Sequence, residues 1–327
     1  MRAPFLSRSH RRRRGKVDYP IEIEFDGDEV DFFDGGWSES GGNVLNDQLA
    51  VGSELVVNGD FTNWTGDNPN NWVIIGEVGA DPEVSEVGTG QGHGGGGNGL
   101  ANLFASAENT QPRMRQMILI VGTWVQITID IDTFTAGTLK VGDIIAGVNQ
   151  DYTTIGSKFQ TGLVDNDEFQ LRPVLAPSDV TVDNVSVKLI TLTSIFNVLK
   201  SQFGLSDGFF IDIYINVVTA GTQVGVIWNY DGSNNFGMAY MDGVSLKVDK
   251  NVAGTYSSLA TVAQAVTQDQ ILRIENPVGT NVITVKYNGV SKATPTIADA
   301  SVIGNKGIAL FSTEANNAIS KVAIGKL

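Results

Sequence analysis

Apolar and polar residues alternate with a period of two along much of this chain. In residues 124–132, Val125, Ile127, Ile129 and Ile131 alternate with Gln126, Thr128, Asp130 and Asp132. That pattern predicts a strand with one buried face, and it puts Asp130 and Asp132 together on the other face. A short apolar strand is expected at 73–77. A series follows at 208–218, 224–229, 236–241, 245–248, 271–275, 282–287, 307–311 and 319–324. Residues 194–203 fit either a short amphipathic helix or a strand. The pairs Asp231-Gly232, Asp242-Gly243 and Asn288-Gly289 read as hairpin turns, because Asn, Asp and Gly tolerate positive φ. Long helical runs are nearly absent. The fold class that follows is all-β.

With 327 residues, one ordinary core is too small, and two domains are expected. The division read from the sequence is an arm and Gly-rich linker over 1–52, a β-sandwich over 53–191 and a second over 192–327. The chain has no cysteine, so burial and strand pairing must hold it together. His10 and His93 are its only histidines, too few for a histidine triad or zinc site. The stretch 88–99 is almost all glycine and polar residues. It lacks the Lys-Ser/Thr that a phosphate-cradling loop needs, and reads as a connecting loop. No secretory signal is expected from residues 1–16. The longest apolar run, 117–129, is too short and too interrupted to span a bilayer. The expectation is a protein made in the cytoplasm, with no membrane partner.

Charge changes the picture at the beginning of the chain. The net formal charge is −14, yet residues 1–16 carry Arg2, Arg8, Arg11, Arg12, Arg13, Arg14 and Lys16 and no acid. Residues 17–34 carry eight acids and no base. Like-charged blocks resist compaction, and exposed attraction reaches only about 8–10 Å at ordinary salt. Arg11–Arg14 then has three readings: a solvated tail, a nucleic-acid contact, or an assembly arm on an acidic protein surface, where Arg pairs carboxylates bidentately. The acidity of the remaining chain argues against a polyanion partner. Ile21, Ile23 and Phe25 alternate with acids, which suits a strand added to a partner's sheet.

Two motifs carry a family resemblance. Glu54-Leu-Val-Val-Asn-Gly-Asp-Phe61, with Trp64 and Trp72 after it, resembles the opening strand and turn of the carbohydrate-binding-module jelly roll of the family 4/9 kind. Thr181-Val-Asp-Asn-Val-Ser-Val-Lys-Leu189 resembles its closing strand, Val121–Asp130 its central strand and Phe169-Gln-Leu-Arg-Pro173 its penultimate one. Further on, Gly225–Met238, Leu272-Arg-Ile-Glu275, Ile283–Val290 and Gly304–Phe311 resemble a concanavalin A-like, laminin-G-like sandwich. Such modules occur in glycan-active enzymes and in structural proteins of tailed phages.

The resemblance implies a structural calcium at Asp60 and Asp183 as the one cofactor; hard oxygen ligands suit it, although Thr62 stands where an acid is common. It implies sugar contacts by Trp64, Asn63 and Asp67, and by Trp228 and Tyr230, against which packing is the competing role for large aromatics. Trp72 and Trp124 read as core. No glycosidase acid pair is evident, so the protein reads as non-enzymatic. The implied role is a virion structural subunit (decoration, spike or tail-associated), a homo-oligomer joined to other virion proteins through residues 1–34. The alternatives are recognition of a cell-surface glycan and, least supported, glycan degradation.

Overall fold

The structure, a computed structural model, describes residues 21–24, 37–40, 43–46, 51–66, 68–78, 81–87, 99–107, 111–143, 149–190, 196–198, 208–230, 235–277, 280–299, 302 and 307–327. The basic run Arg11–Arg14, Phe25, Asp67 and the Asp231-Gly232 turn lie outside them. Every regular element among the described residues is a strand, and no helix is long and apolar enough to cross a membrane.

Two long strands, Trp124–Gly142 and Glu168–Ile190, build the first sandwich. They pair antiparallel from Trp124↔Ile190 to Gly142↔Gln170. Register shifts between Thr128 and Thr138 mark bulges, which bend strands and deepen their twist. At the sharpest bend Gly137 has a φ of 91°, and a Cβ there would lie 2.6 Å from the Leu175 carbonyl oxygen. Only glycine lets the two backbones approach so closely. Because the pair bends, its members change neighbours along their length. Gly156–Leu163 pairs with the first half of Trp124–Gly142, and Asn149–Tyr152 with its end. Arg113–Met117 and Leu100–Ala105 pair with successive parts of Glu168–Ile190. The sheet thereby wraps one core containing Phe61, Trp72, Leu103, Met114, Ile129 and Phe169.

The expected inward set Val125, Ile127, Ile129 and Ile131 is buried. The opening and closing motifs are neighbours, as the resemblance implies: Glu54 faces Lys188 and the Leu55 amide donates to the Val187 carbonyl at 2.8 Å. The expected penultimate and last strands, however, form one continuous element. Pairing with the bulged partner breaks at Leu175, whose φ is 69°, and resumes at once beyond it: Thr138 faces Val174 and Ala136 faces Asp179.

The second sandwich has two sheets. One joins Phe209–Val217, Gln270–Asn276, Thr284–Tyr287, Val290–Ala293 and Ala318–Lys326. The other runs Phe196–Val198, Gly307–Ser312, Val224–Tyr230, Phe236–Met241, Ser245–Val252, Thr255–Ala263. Ile211, Ile213, Ile274, Val285 and Val322 of the first sheet meet Val226, Trp228, Met241, Val248 and Leu310 of the second. The Asn288-Gly289 turn forms as expected, with φ of 49° and 79°. The strand Thr255–Ala263 is absent from the sequence reading, because its apolar positions do not alternate.

Part of the stretch read as arm and linker belongs to this sandwich. Ile21–Glu24 pairs antiparallel with Lys321–Ile324, and Asn43–Leu45 pairs with Ala318 and Ile319 on the same edge. Ile23 and Trp37 lie in the second core, and Asn46 donates to the Ser312 carbonyl at 2.9 Å. Ile21 and Ile23 were expected to add to a partner's sheet. Their backbone adds instead to this chain's own C-terminal strand, whose free edge they cover. Residues 38–45, expected as linker, make a hairpin beside it.

Candidate functional site

The two sandwiches meet along an aromatic seam. Trp124, at the start of its long strand, packs with Ile190 against the outer face of the six-stranded sheet. Its ring centroid lies 5.1 Å from Phe311, 6.3 Å from Tyr240 and 6.3 Å from Tyr256. Its indole N–H donates to the Tyr256 hydroxyl at 3.3 Å. The central strands of that sheet are therefore buried on both faces, and Phe236–Met241 is buried at every residue. Near-continuous apolar runs are what such strands require.

A polar cluster fixes the seam beside the aromatics. The Thr161 amide donates to the Gly221 carbonyl at 2.7 Å, and Gln223 Nε2 donates to the Thr161 carbonyl at 2.7 Å. The Thr161 and Thr313 hydroxyls are 2.7 Å apart. All three side chains are buried, where hydrogen bonds are geometrically exacting and costly to break.

Next to this cluster the seam opens into a cleft of about 520 Å³. Trp124, Asp165, Gln223, Lys247 and Tyr256 line it, and Tyr240 and Asp249 form its floor. The Tyr240 hydroxyl donates to Asp249 Oδ2 at 2.7 Å. Burial pushes the Asp249 carboxyl above the usual carboxylate range, and hydrogen bonds from Tyr240 and Ser258 and the charge of Lys247 pull it back in part. Burial, reinforced by Asp249, holds Tyr240 well above the ordinary phenol range. Burial likewise raises Tyr256.

A second hollow, of about 600 Å³, opens at the end of the first sandwich. Asp60, Asp130, Asp132, Asp183 and Asn184 line it, so the two residues expected to hold calcium do face the same space. Their oxygens accept local hydrogen bonds. Asp60 Oδ1 accepts from the Thr62 hydroxyl at 3.1 Å, and Asp183 Oδ1 from the Asn184 amide at 2.7 Å. Asp130 Oδ2 accepts from Asn184 Nδ2 at 3.0 Å. Among the described residues no three His, Asp or Glu side chains are grouped to hold a metal ion. The donor chemistry suits calcium, but the arrangement does not fit one.

The expected sugar contacts are not brought together. Trp64 is half-buried against the first core, with its indole N–H donating to the Phe61 carbonyl at 2.5 Å. Asn63 is exposed, and its amide donates to Asn58 Oδ1 at 3.0 Å. Trp228 is fully buried in the second core. A Cβ on Gly237 would come within 2.4 Å of its ring, so the indole is closed over and cannot offer a sugar platform. Tyr230 stacks edge-on with Phe236 at 5.9 Å. Sequence reasoning did not single out Thr161, Gln223, Asp249, Tyr256 or Thr313. The available signal was the unbroken apolar character of 224–228 and 236–241, which marks a sheet covered on both sides.

No family model and no curated protein sequence matches the chain. Solved structures similar to parts of it include the Caenorhabditis elegans galectin LEC-6, at 15% identity and a TM-score of 0.31, covering 37% of this chain and 85% of that one. The carbohydrate-binding module CBM66 from Bacillus subtilis is 12% identical with a TM-score of 0.30, over 40% of this chain and 78% of the module. Domains LG4-5 of the mouse laminin alpha1 chain are 10% identical with a TM-score of 0.30, over 69% and 89%. Overlap at this level carries no argument beyond the strand pairing described above.

Proposed function

We propose that this chain is a non-enzymatic structural subunit of a phage virion, a decoration, spike or tail-associated protein that docks through residues 1–20 and holds two sandwiches outward in a fixed mutual orientation. The observation that carries this reading is the anchored root of the leader. Ile21–Glu24 is paired to Lys321–Ile324, and Trp37 is buried beneath the same sheet. The basic run of 1–16 thus lies four residues before a strand fixed on the second sandwich, as a docking arm requires. Support also comes from the acids and aromatics that a glycan-active site would use. Asp130 is engaged by Ser157 and Asn184, Asp249 by Tyr240, and Trp228 by its core.

Deleting residues 1–20 tests the reading. The truncated protein is expected to fold with an unchanged melting temperature and to fail to enter particles; normal incorporation would overturn the docking role. A second reading, recognition of a saccharide, is favoured by the cleft along the seam, where aromatic rings and hydrogen-bonding side chains from both sandwiches share one space. A glycan array separates the two readings. Binding that is lost in K247A and Y256A would support recognition, and an array without signal would leave the structural role alone.

A further inference from the structure

Sheet margins invite pairing with another chain, and proteins ordinarily blunt them with charge, proline, bulges or short length. Nearly every described margin here is blunted. Gly156–Leu163 carries Lys158, Glu83–Val87 carries two glutamates, Val290–Ala293 carries Lys292, and Val73–Ile75 and Phe196–Val198 have three residues each. Thr255–Ala263 is the exception in charge and length, with one bulge as its only such device. It ends the six-stranded sheet and, among the described residues, pairs only with Ser245–Val252. It is nine residues long, TYSSLATVA, with no charge and no proline.

From this margin we infer that two copies of the chain pair edge to edge, Thr255–Ala263 antiparallel to its symmetry mate about a two-fold axis. Three observations point to a second copy rather than an unrelated segment. First, a protein with a net charge of −14 repels its own copies. Contact between copies is therefore cheapest at an uncharged strip, and no charged residue lies between Lys250 and Asp269.

Second, the two ends of the strand carry matching exposed apolar residues. The turn bearing Ile120 and Val121 abuts the Gly254 end, since a Cβ on Gly122 would lie 2.9 Å from the Gly254 carbonyl oxygen. Val244 sits at the other end, where Ser245 faces Ala263 and the Gln264 amide donates to the Val244 carbonyl. Ile120, Val121 and Val244 are 52%, 61% and 71% exposed. Antiparallel pairing lays the Gly254 end of one copy against the Ala263 end of the other, so each Val121 turn comes to the end of the partner strand beside which Val244 lies, one strand further in. Such reciprocity is what an isologous interface requires.

Third, the one irregularity of the strand lies at its middle. Asp249 faces Ser258 and Val248 faces Ala260, leaving Leu259 as the extra residue of a bulge. A two-fold axis there sets the bulge against its own mate and leaves regular segments on either side. The pairing would add about eight main-chain hydrogen bonds. It is independent of the docking role proposed for residues 1–20.

The chain has no cysteine, so single cysteines report the geometry. L259C lies on the axis, where directly opposite Cα atoms are about 4.5–5.5 Å apart, and is expected to form an interchain disulfide on mild oxidation, because Cα atoms must come within about 7 Å. T255C would sit roughly 25–30 Å from its own mate at about 3.3 Å per residue, and is expected to stay monomeric on a non-reducing gel. Sedimentation equilibrium of the full chain should give a dimer. The double variant S257K/T261K, at two exposed positions, should give a monomer with an unchanged melting temperature. The control S53K, on the exposed Val51–Glu54 margin of the first sandwich, should remain a dimer. A full chain that is monomeric at high micromolar concentration, equal crosslinking of L259C and T255C, or a dimer that survives S257K/T261K would each overturn the inference.

Discussion

The Trp124 ring lies 5.1 Å from that of Phe311, tilted by 58°, and this pair ties the first sandwich to the second. Both side chains are nearly or fully buried. Truncation of such an aromatic leaves a void and costs about 3–5 kcal/mol. Calorimetry of W124A is therefore expected to show two separated transitions where the unmodified chain shows one. A single undisturbed transition in W124A would mean that the seam contributes little to coupling.

Trp37 lies outside both sandwiches in sequence but inside the second core in space, at 4% exposed. W37A should destabilise the second sandwich by about 3–5 kcal/mol and leave the first unaffected. Deleting residues 1–46 should do at least as much, because it also uncovers the edge of Ala318–Lys326. Deletion of 1–20 should leave both transitions in place. Urea unfolding with domain-resolved probes would distinguish these outcomes.

Asp249 sets the pH dependence of the seam. Its carboxyl is held above the usual range by burial, so the folded state binds the proton more tightly than the unfolded chain does. Its contribution to stability is fully present below the unfolded value of about 3.9 and is lost as pH rises through the folded value. D249N keeps an oxygen to accept from Tyr240 and carries no charge. It should melt higher than the parent at pH 7, with the difference shrinking toward pH 4. An unchanged difference across that range would exclude Asp249 as the titrating group.

The hollow lined by Asp60, Asp130, Asp132 and Asp183 gives a prediction on metal removal. Asp60, Asp130 and Asp183 accept local hydrogen bonds, and among the described residues no three acids are grouped to hold a metal ion. Addition of calcium or of a chelator is expected to move the melting temperature by less than about one degree, since a ligand stabilises only as far as it binds the folded state. A rise of several degrees with millimolar calcium would reinstate the site.

Much of the second sandwich was legible in the sequence because its strands are short and its turns have strong chemistry. Phe236–Met241 falls where the pattern placed it, and Asn288-Gly289 makes its hairpin. Thr255–Ala263 escaped notice because the bulge at Leu259 shifts its apolar positions out of phase. The split of Glu168–Ile190 into two strands failed for a related reason, since pairing with the same partner strand resumes at Asp179 after the break at 175–178. Asp60 and Asp183, paired from the bookend motifs, line one hollow. The seam was not legible. Thr161 and Thr313 are 152 positions apart, and nothing local in either segment marks them as partners. Trp228 and Trp124 look alike in sequence as aromatics at strand positions; only tertiary packing puts one within a core and the other between two.

Asn46 and Ser312 are hydrogen-bonded across 266 positions, and Ile21 faces Ile324. A ribosome therefore releases the N-terminal edge strands long before the strand they must join exists. The intervening sandwich can mature meanwhile, because its pairings close within residues 51–190. Completion of the second sandwich is left as the last and slowest event, since closing so long a loop is entropically expensive. Any cellular holdase that attends this protein should therefore be found on the waiting edge strands rather than on the domain between them.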